Sequence, residues 1–203
     1  MSWFDIANAT LQDEHVQLRP VAEADREALR PLAKDPDIWR YFVTLVSDDA
    51  DFDAFFDATL ADLAAGARVP FVIADRTLGA AAGSMSMFNF AERDGRLEIG
   101  WSWLGRDFQG RGINHWAKFL LLEHAFERLG AERVEFKTDQ LNEKARRALG
   151  NIGAVEEGTL RSYNPMPGGR RRDAVYYSVL RGEWPAVRER LLTGRKLDTA
   201  KTS

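Results

Sequence analysis

At 203 residues, 45% of them hydrophobic and 29% charged, the chain has the size and composition of one globular domain with a full core. A formal net charge of −3 and a pI near 5.7 exclude the basic footprint of a general nucleic-acid binder. The lack of cysteine excludes a disulfide framework, a thiol nucleophile and a Cys-ligated metal.

Residues 1–14 form a polar lead-in carrying Trp3 and Phe4, aromatics that must pack on this domain or on a second subunit, so a homodimer is open. The lead-in lacks the basic start and apolar core of a secretory leader, and no apolar run approaches a membrane span. A cytoplasmic protein without a membrane or nucleic-acid partner is therefore expected. Val16–Pro20 alternates and stops at a proline, which predicts a first strand. Asp25 is placed to cap a helix reaching Lys34, and the aromatic segment 38–42 follows a turn. Phe52, Phe55, Phe56, Leu60 and Leu63 stand near helical spacing, predicting a helix over 48–65 that ends at Gly66. Strands are predicted at 69–74 and 80–90, and a polar turn leads into a fourth at Arg96–Leu104. The helix predicted over 114–129 is apolar on several sides and should lie buried against a sheet, with Gly130 ending it. Then come a strand at 133–138, a helix at 142–151, strands at 155–163 and 172–180 flanking a Pro/Gly-rich turn, and a terminal helix at 183–192. Residues 193–203 are expected to be a disordered tail. The pattern predicts a single mixed α/β domain over 1–203.

The stretch Gln109-Gly110-Arg111-Gly112-Ile113-Asn114 lies between the fourth strand and the long apolar helix. A strand, a glycine-bearing loop and a helix N-terminus in that order make an anion cradle, because loop amides and unpaired helix amides converge on one point. A dinucleotide fingerprint would need a third glycine where His115 stands, and a Walker loop would need Lys and Ser/Thr where Arg111-Gly112 stands.

Gln109-x-x-Gly112-x-Asn114 resembles the acyl-CoA loop of the GNAT N-acetyltransferases, Gln/Arg-x-x-Gly-x-Gly/Ala, and departs from it at the last place. Leu97-Glu98-Ile99-Gly100-Trp101 is similar to that family's fourth strand. Asn142 with Ile152-Gly153-Ala154 is similar to its next motif, and Glu157-Gly158-Thr159-Leu160-Arg161 resembles the "EG-x-L-R" strand of the RimJ/RimL-like branch. The resemblance spans about 16–192. It implies a GNAT fold, an α/β architecture whose mostly antiparallel sheet has splayed fourth and fifth strands flanked by helices. Acetyl-CoA would enter that wedge as cosubstrate. Its diphosphate would sit on the amides of Gln109, Gly110, Arg111, Gly112, Ile113 and Asn114, with Arg111 adding charge. Its pantetheine arm would pair with the backbone of Trp103 and Leu104, and Asn142 would reach it; the position of Asn142 equally suits a helix N-cap.

The implied reaction is direct acetyl transfer to a primary amine, either a protein N-terminus or a small molecule. The net acidic balance favours small or cationic acceptors over ribosomal RNA contact. The family's acid and base-assisting positions are altered: Leu149 stands where many members have tyrosine, Ala145 where RimL-like members have serine, and Asn164 where they have glutamate. Glu98 is the remaining candidate base, its alternative being an outward-facing strand glutamate. These losses also motivate a rival, a non-catalytic acyl-CoA-binding sensor or scaffold. An ordinary nucleotide-binding loop is a further rival.

Trp101 and Trp103 share a strand face by alternation, as acceptor pocket or core. Trp39, Tyr41 and Phe42 suit a lid or a satellite core, and Ser84 and Asn89 are polar points on a strand near the wedge. Arg170-Arg171-Arg172 reads as a solvated turn or as a grip for an acidic acceptor or RNA. His15, His115 and His124 lack ligand spacing, so no metal is expected.

Overall fold

Eight strands carry the computed structural model, which describes residues 2–199, the side chains of 194–199 excepted. They are β1 (Leu11–Gln12), β2 (Val16–Pro20), β3 (Arg68–Asp75), β4 (Ala80–Ala91), β5 (Arg96–Leu104), β6 (Arg133–Asp139), β7 (Val155–Pro165) and β8 (Arg171–Leu180). Among the described residues they form one sheet in the order β1-β2-β3-β4-β5-β6-β8-β7. Every neighbouring pair is antiparallel except β5–β6, which is parallel.

That parallel pair is also short. Arg96, Leu97 and Glu98 pair with Arg133, Val134 and Glu135, and the register stops there, so the two strands splay over the rest of β5. Residues 99–104 therefore present an unpaired edge towards the gap, the kind of edge that takes an added strand-like ligand. This is the expected GNAT fold.

Two bulges on opposite strands bracket Glu98. Ser84 pairs with Trp103 and Ser86 with Gly100, so β5 holds an extra residue there, and Trp101 takes a left-handed φ of 52°. Phe88 pairs with Glu98 and Ala91 with Arg96, so β4 holds the extra residue at the other end, where Asn89 has a φ of 53°. Gly83 lets β4 meet β5 closely: a Cβ there would lie 2.1 Å from the Trp103 carbonyl oxygen.

Helices cover both faces. They are α1 (Arg26–Leu29), α2 (Pro36–Trp39), α3 (Asp49–Ala64), α4 (Ile113–Glu123), α5 (Glu143–Ile152) and α6 (Trp184–Thr199). α4 is buried along its length and packs in the main core with Leu97, Ile99, Val134 and Phe136. A second, smaller core gathers Trp39, Phe52, Phe56 and Trp103 under α1–α3. The helix expected from Asp25 to Lys34 is broken into α1 and flanking 3-10 turns. Pro31 explains the break, since it lacks an N–H and its ring crowds the carbonyl four residues back. Asp25 does not cap that helix; its carboxylate accepts the Ala22 N–H and is held by Arg19. α4 starts one residue earlier than expected and its continuation, His124–Leu129, is a wider π turn ending at Gly130.

Trp3 is buried in the main core and Phe4 meets Phe90 edge to face, so both aromatics of the lead-in pack on their own chain. α6 runs to Thr199, past the expected end at Leu192; of the tail expected over 193–203, residues 200–203 lie outside the described residues.

Candidate active site

The gap between β5 and β6 opens into a cavity of about 810 Å³. That is the size of an ordinary small-ligand site. On one side lie the loop and helix terminus. Gly105 is followed by the 3-10 turn Arg106–Phe108, then Gly110 at φ 76° and Gly112 at φ 78° turn the chain into α4. Because α4 begins at Ile113, its first amides have no upstream carbonyl to accept them. Gln109, Gly110, Asn114, Trp103, Leu104 and Asn142 all line the cavity. Asn142 both lines it and caps α5, its Oδ1 accepting the Ala145 N–H at 3.0 Å.

The remaining loop residues behave differently. The Arg111 guanidinium turns to Asp75, 3.7 Å away, and is not in the cavity wall. Gly112 is the left-handed cap of α4, and Ile113 is buried in the main core.

Glu98 is 2% exposed and forms part of the cavity wall, so it is not an outward-facing strand glutamate. Its Oε2 accepts from Asn89 Nδ2 at 2.9 Å, and its Oε1 lies 3.6 Å from Lys137 Nζ. Burial pushes the Glu98 carboxyl above its ordinary range, while Lys137 and then Asn89 hold it back. Simple alternation would put Glu98 on the face opposite Trp101 and Trp103. The extra residue in β5 brings all three to one cavity.

Trp103 also belongs to the second core, against Trp39 at 5.7 Å, whereas Trp101 lies under the Arg68 guanidinium at 4.5 Å. Tyr41 and Phe42 reach the cavity while Trp39 stays in the core, so the aromatic segment serves as both wall and core. Ser84 is buried opposite Trp103, and Asn89 donates to Glu98.

Leu149, Ala145 and Asn164 all line the cavity. Thus the altered positions face the site, but none carries an acid or base. Asn164 accepts from Arg172 Nε at 2.9 Å and donates to the Pro165 carbonyl.

Two cations of the wall carried no expectation from the sequence, Lys137 beside Glu98 and, on α4, Lys118. Lys118 lines the cavity at 7% exposure and donates to Asn114 Oδ1 at 2.7 Å. Burial lowers its ammonium to about 8. A lysine four residues after Asn114 inside an otherwise apolar helix was the available signal. Among the described residues no group of three or more potential ligands could hold a metal ion, and no helix is long and apolar enough to cross a membrane.

A wedge between parallel strands, a glycine loop feeding a helix N-terminus and a buried carboxylate in the wedge wall define an N-acetyltransferase architecture. The family model described as "Acetyltransferase (GNAT) domain" matches residues 15–155, and the chain belongs to that family. An acetyltransferase structure from T. thermophilus, so assigned provisionally, is 37% identical, covering 91% of this chain and 95% of that one with a TM-score of 0.82. YdaF of Bacillus subtilis (strain 168), provisionally named a ribosomal N-acetyltransferase, is 37% identical over 106 residues. The match spans 52% of this chain and just over half, 57%, of YdaF. Mycobacterium smegmatis RimJ, solved with CoA-disulfide, shares the fold at 24% identity and a TM-score of 0.76, covering 92% of this chain and 93% of that one.

Proposed function

We propose that this chain transfers an acetyl group from acetyl-CoA directly to a primary amine, either a protein N-terminal α-amine or a small-molecule amine, with Glu98 as general base. The observation that carries this reading is the position of a buried carboxylate in the same cavity as the unpaired β5 edge and the α4 N-terminus. When bound, acetyl-CoA supplies a thioester-activated acetyl group. The residues fit it: the amides of 109–114 suit a diphosphate, the free edge at Trp103 and Leu104 suits an amide-bearing arm, and Asn142 and Lys118 add donors. Backbone amides of that edge also suit the carbonyl oxygen as it gains charge.

Glu98 takes a proton from the incoming ammonium, directly or through a water. Its raised pKa brings it nearer the working pH, where a base is most effective. The demand on it depends on the amine. An α-amine is roughly a tenth neutral at pH 7 and a lysine only about a thousandth, so an α-amine needs about 100-fold less help. Leu149 and Ala145 hold no exchangeable side-chain proton, and a leaving thiol of pKa ~8.5 does not require one.

The apolar Leu149 and Ala145 also support a second reading, an acyl-CoA-binding module without turnover. An assay for free CoA release with acetyl-CoA and pools of N-terminal peptides, amino acids, polyamines and amine antibiotics separates the two. Turnover on a pool, lost in Glu98→Gln, is the expected result. Tight CoA binding with no release on any pool would establish the module instead.

A further inference from the structure

The Arg170-Arg171-Arg172 run does not form one patch. Arg170 pairs with buried Asp139, and Arg171 bonds the Ser162 carbonyl and hydroxyl. Arg172 goes inward: it is 8% exposed and lines the cavity. Its Nε donates to Asn164 Oδ1 at 2.9 Å, a neutral partner. Its terminal nitrogens make no hydrogen bond, and no carboxylate lies within 4.0 Å of it, among the described residues. Nor are those nitrogens among the polar atoms sealed from solvent without a partner, so they open to the cavity.

The nearby carboxylates are already engaged. Asp139 is held by Arg170 and by the Leu141 N–H, and Glu98 by Lys137 and Asn89. Of the charges in the cavity wall, Glu98, Lys118 and Arg172 are buried and Lys137 is half-buried, which leaves a cationic surplus around Glu98. An arginine buried without a carboxylate costs several kcal/mol unless something answers its charge, and its planar fork matches a carboxylate. Burial also lowers the Arg172 pKa, with Asp139 opposing, as expected of a guanidinium short of partners.

We propose that Arg172 selects the acceptor, which carries a carboxylate near its reactive amine. This rests on the reading above that the cavity takes an amine. Glu98 then meets the ammonium and Arg172 the carboxylate. The cavity so charged disfavours polyamines, against the cationic acceptors that net charge alone suggests. The carboxylate can be that of a free amino acid or the side chain of an acidic residue early in a peptide.

The test uses the full chain loaded with CoA or acetyl-CoA and matched ligands: free amino acids against their α-amides, and peptides with Asp or Glu at the second or third place against Asn or Gln. Thermal shift on the CoA-loaded protein reads binding, and CoA release reads turnover. Carboxylate forms are expected to win by ~100-fold in kcat/KM, and Arg172→Gln to lower that ratio towards one while Arg172→Lys retains part of it. Preference for amino acids or for acidic peptides identifies the source. Carboxylate ligands that stabilise wild type but not Arg172→Gln, without any turnover, would uphold Arg172 while overturning the acetyl-transfer reading. Equal binding and turnover of carboxylate and amide forms, or a ratio unchanged in Arg172→Gln and Arg172→Lys, would overturn the inference.

Discussion

Asn89 Nδ2 donates to Glu98 Oε2 at 2.9 Å, and Asn89 does so from a left-handed backbone conformation with φ 53°. Asparagine tolerates that conformation better than most residues, and the β4 bulge there aims its amide at the carboxylate. The bond favours the ionised form of a group that burial pushes towards protonation. Glu98→Gln keeps the shape and an acceptor for Asn89 but cannot take a proton. We expect kcat to fall ~100-fold or more, and the acid limb of the pH–rate profile to vanish. Folding raises this carboxyl's pKa, so its contribution to stability is full below the ordinary carboxylate value and is lost as pH rises through the folded one. Thermal unfolding of Glu98→Gln at neutral pH should therefore show equal or greater stability. A loss of activity matched by a loss of Tm would reject the base assignment.

Most of this architecture was legible because hydrophobic period and turn chemistry agree. The alternation of Val16–Pro20, the glycine stop after α3 and the strand–loop–helix order around Gln109 all reappear. Three things were not. The β5 bulge at Trp101 leaves no clear mark, yet it decides which side chains share the cavity with Glu98. Pro31 breaks the helix after Asp25, which the spacing of apolar residues alone does not register. The sequence reading attached nothing to Lys118 and left Arg172 between a solvated turn and a grip for an acidic acceptor or RNA, because burial of a cation depends on what packs over it and not on local pattern.

Lys137 tunes Glu98 from the other side. Its Nζ lies 3.6 Å from Oε1 and 5.1 Å from the centre of the Tyr163 ring. Removing the cation in Lys137→Met should raise the Glu98 pKa further, since an opposite charge at that distance favours the carboxylate. The acid limb of the kcat/KM profile should move up by about one pH unit. Activity then drops ~10-fold on that limb and little on the alkaline plateau. A uniform loss at all pH values would assign Lys137 to acceptor binding instead.

Gly83 controls the approach of β4 to β5, whose other edge the donor would use. A Cβ there would meet the Trp103 carbonyl at 2.1 Å and the Leu104 Cα at 2.8 Å, both backbone atoms that cannot swing aside. Gly83→Ala should cost ~1–3 kcal/mol in urea unfolding, the range for overpacking. It should also weaken acetyl-CoA more than acceptor, because Trp103 and Leu104 are displaced and Glu98 is not. Equal KM changes for both substrates would argue against a donor role for this edge.

Lys118 sets stability against binding. Its folded pKa lies at about 8 against an ordinary 10.5, with burial as the cause. The sign follows from which state holds the proton. Below about 8 both folded and unfolded states are charged and the full desolvation cost applies. As pH rises towards the ordinary value, the folded state loses its proton first and the cost disappears. A drop of that size corresponds to ~3 kcal/mol. Lys118→Met should therefore raise Tm at pH 7 by several degrees, with the gap to wild type closing as pH approaches 10. The same substitution removes a cation that lines the donor side of the cavity beside Asn114. The Tm gain produced by saturating CoA should shrink in Lys118→Met although the free variant is more stable. An unchanged CoA response would leave Lys118 as a purely structural burial, held by Asn114 alone.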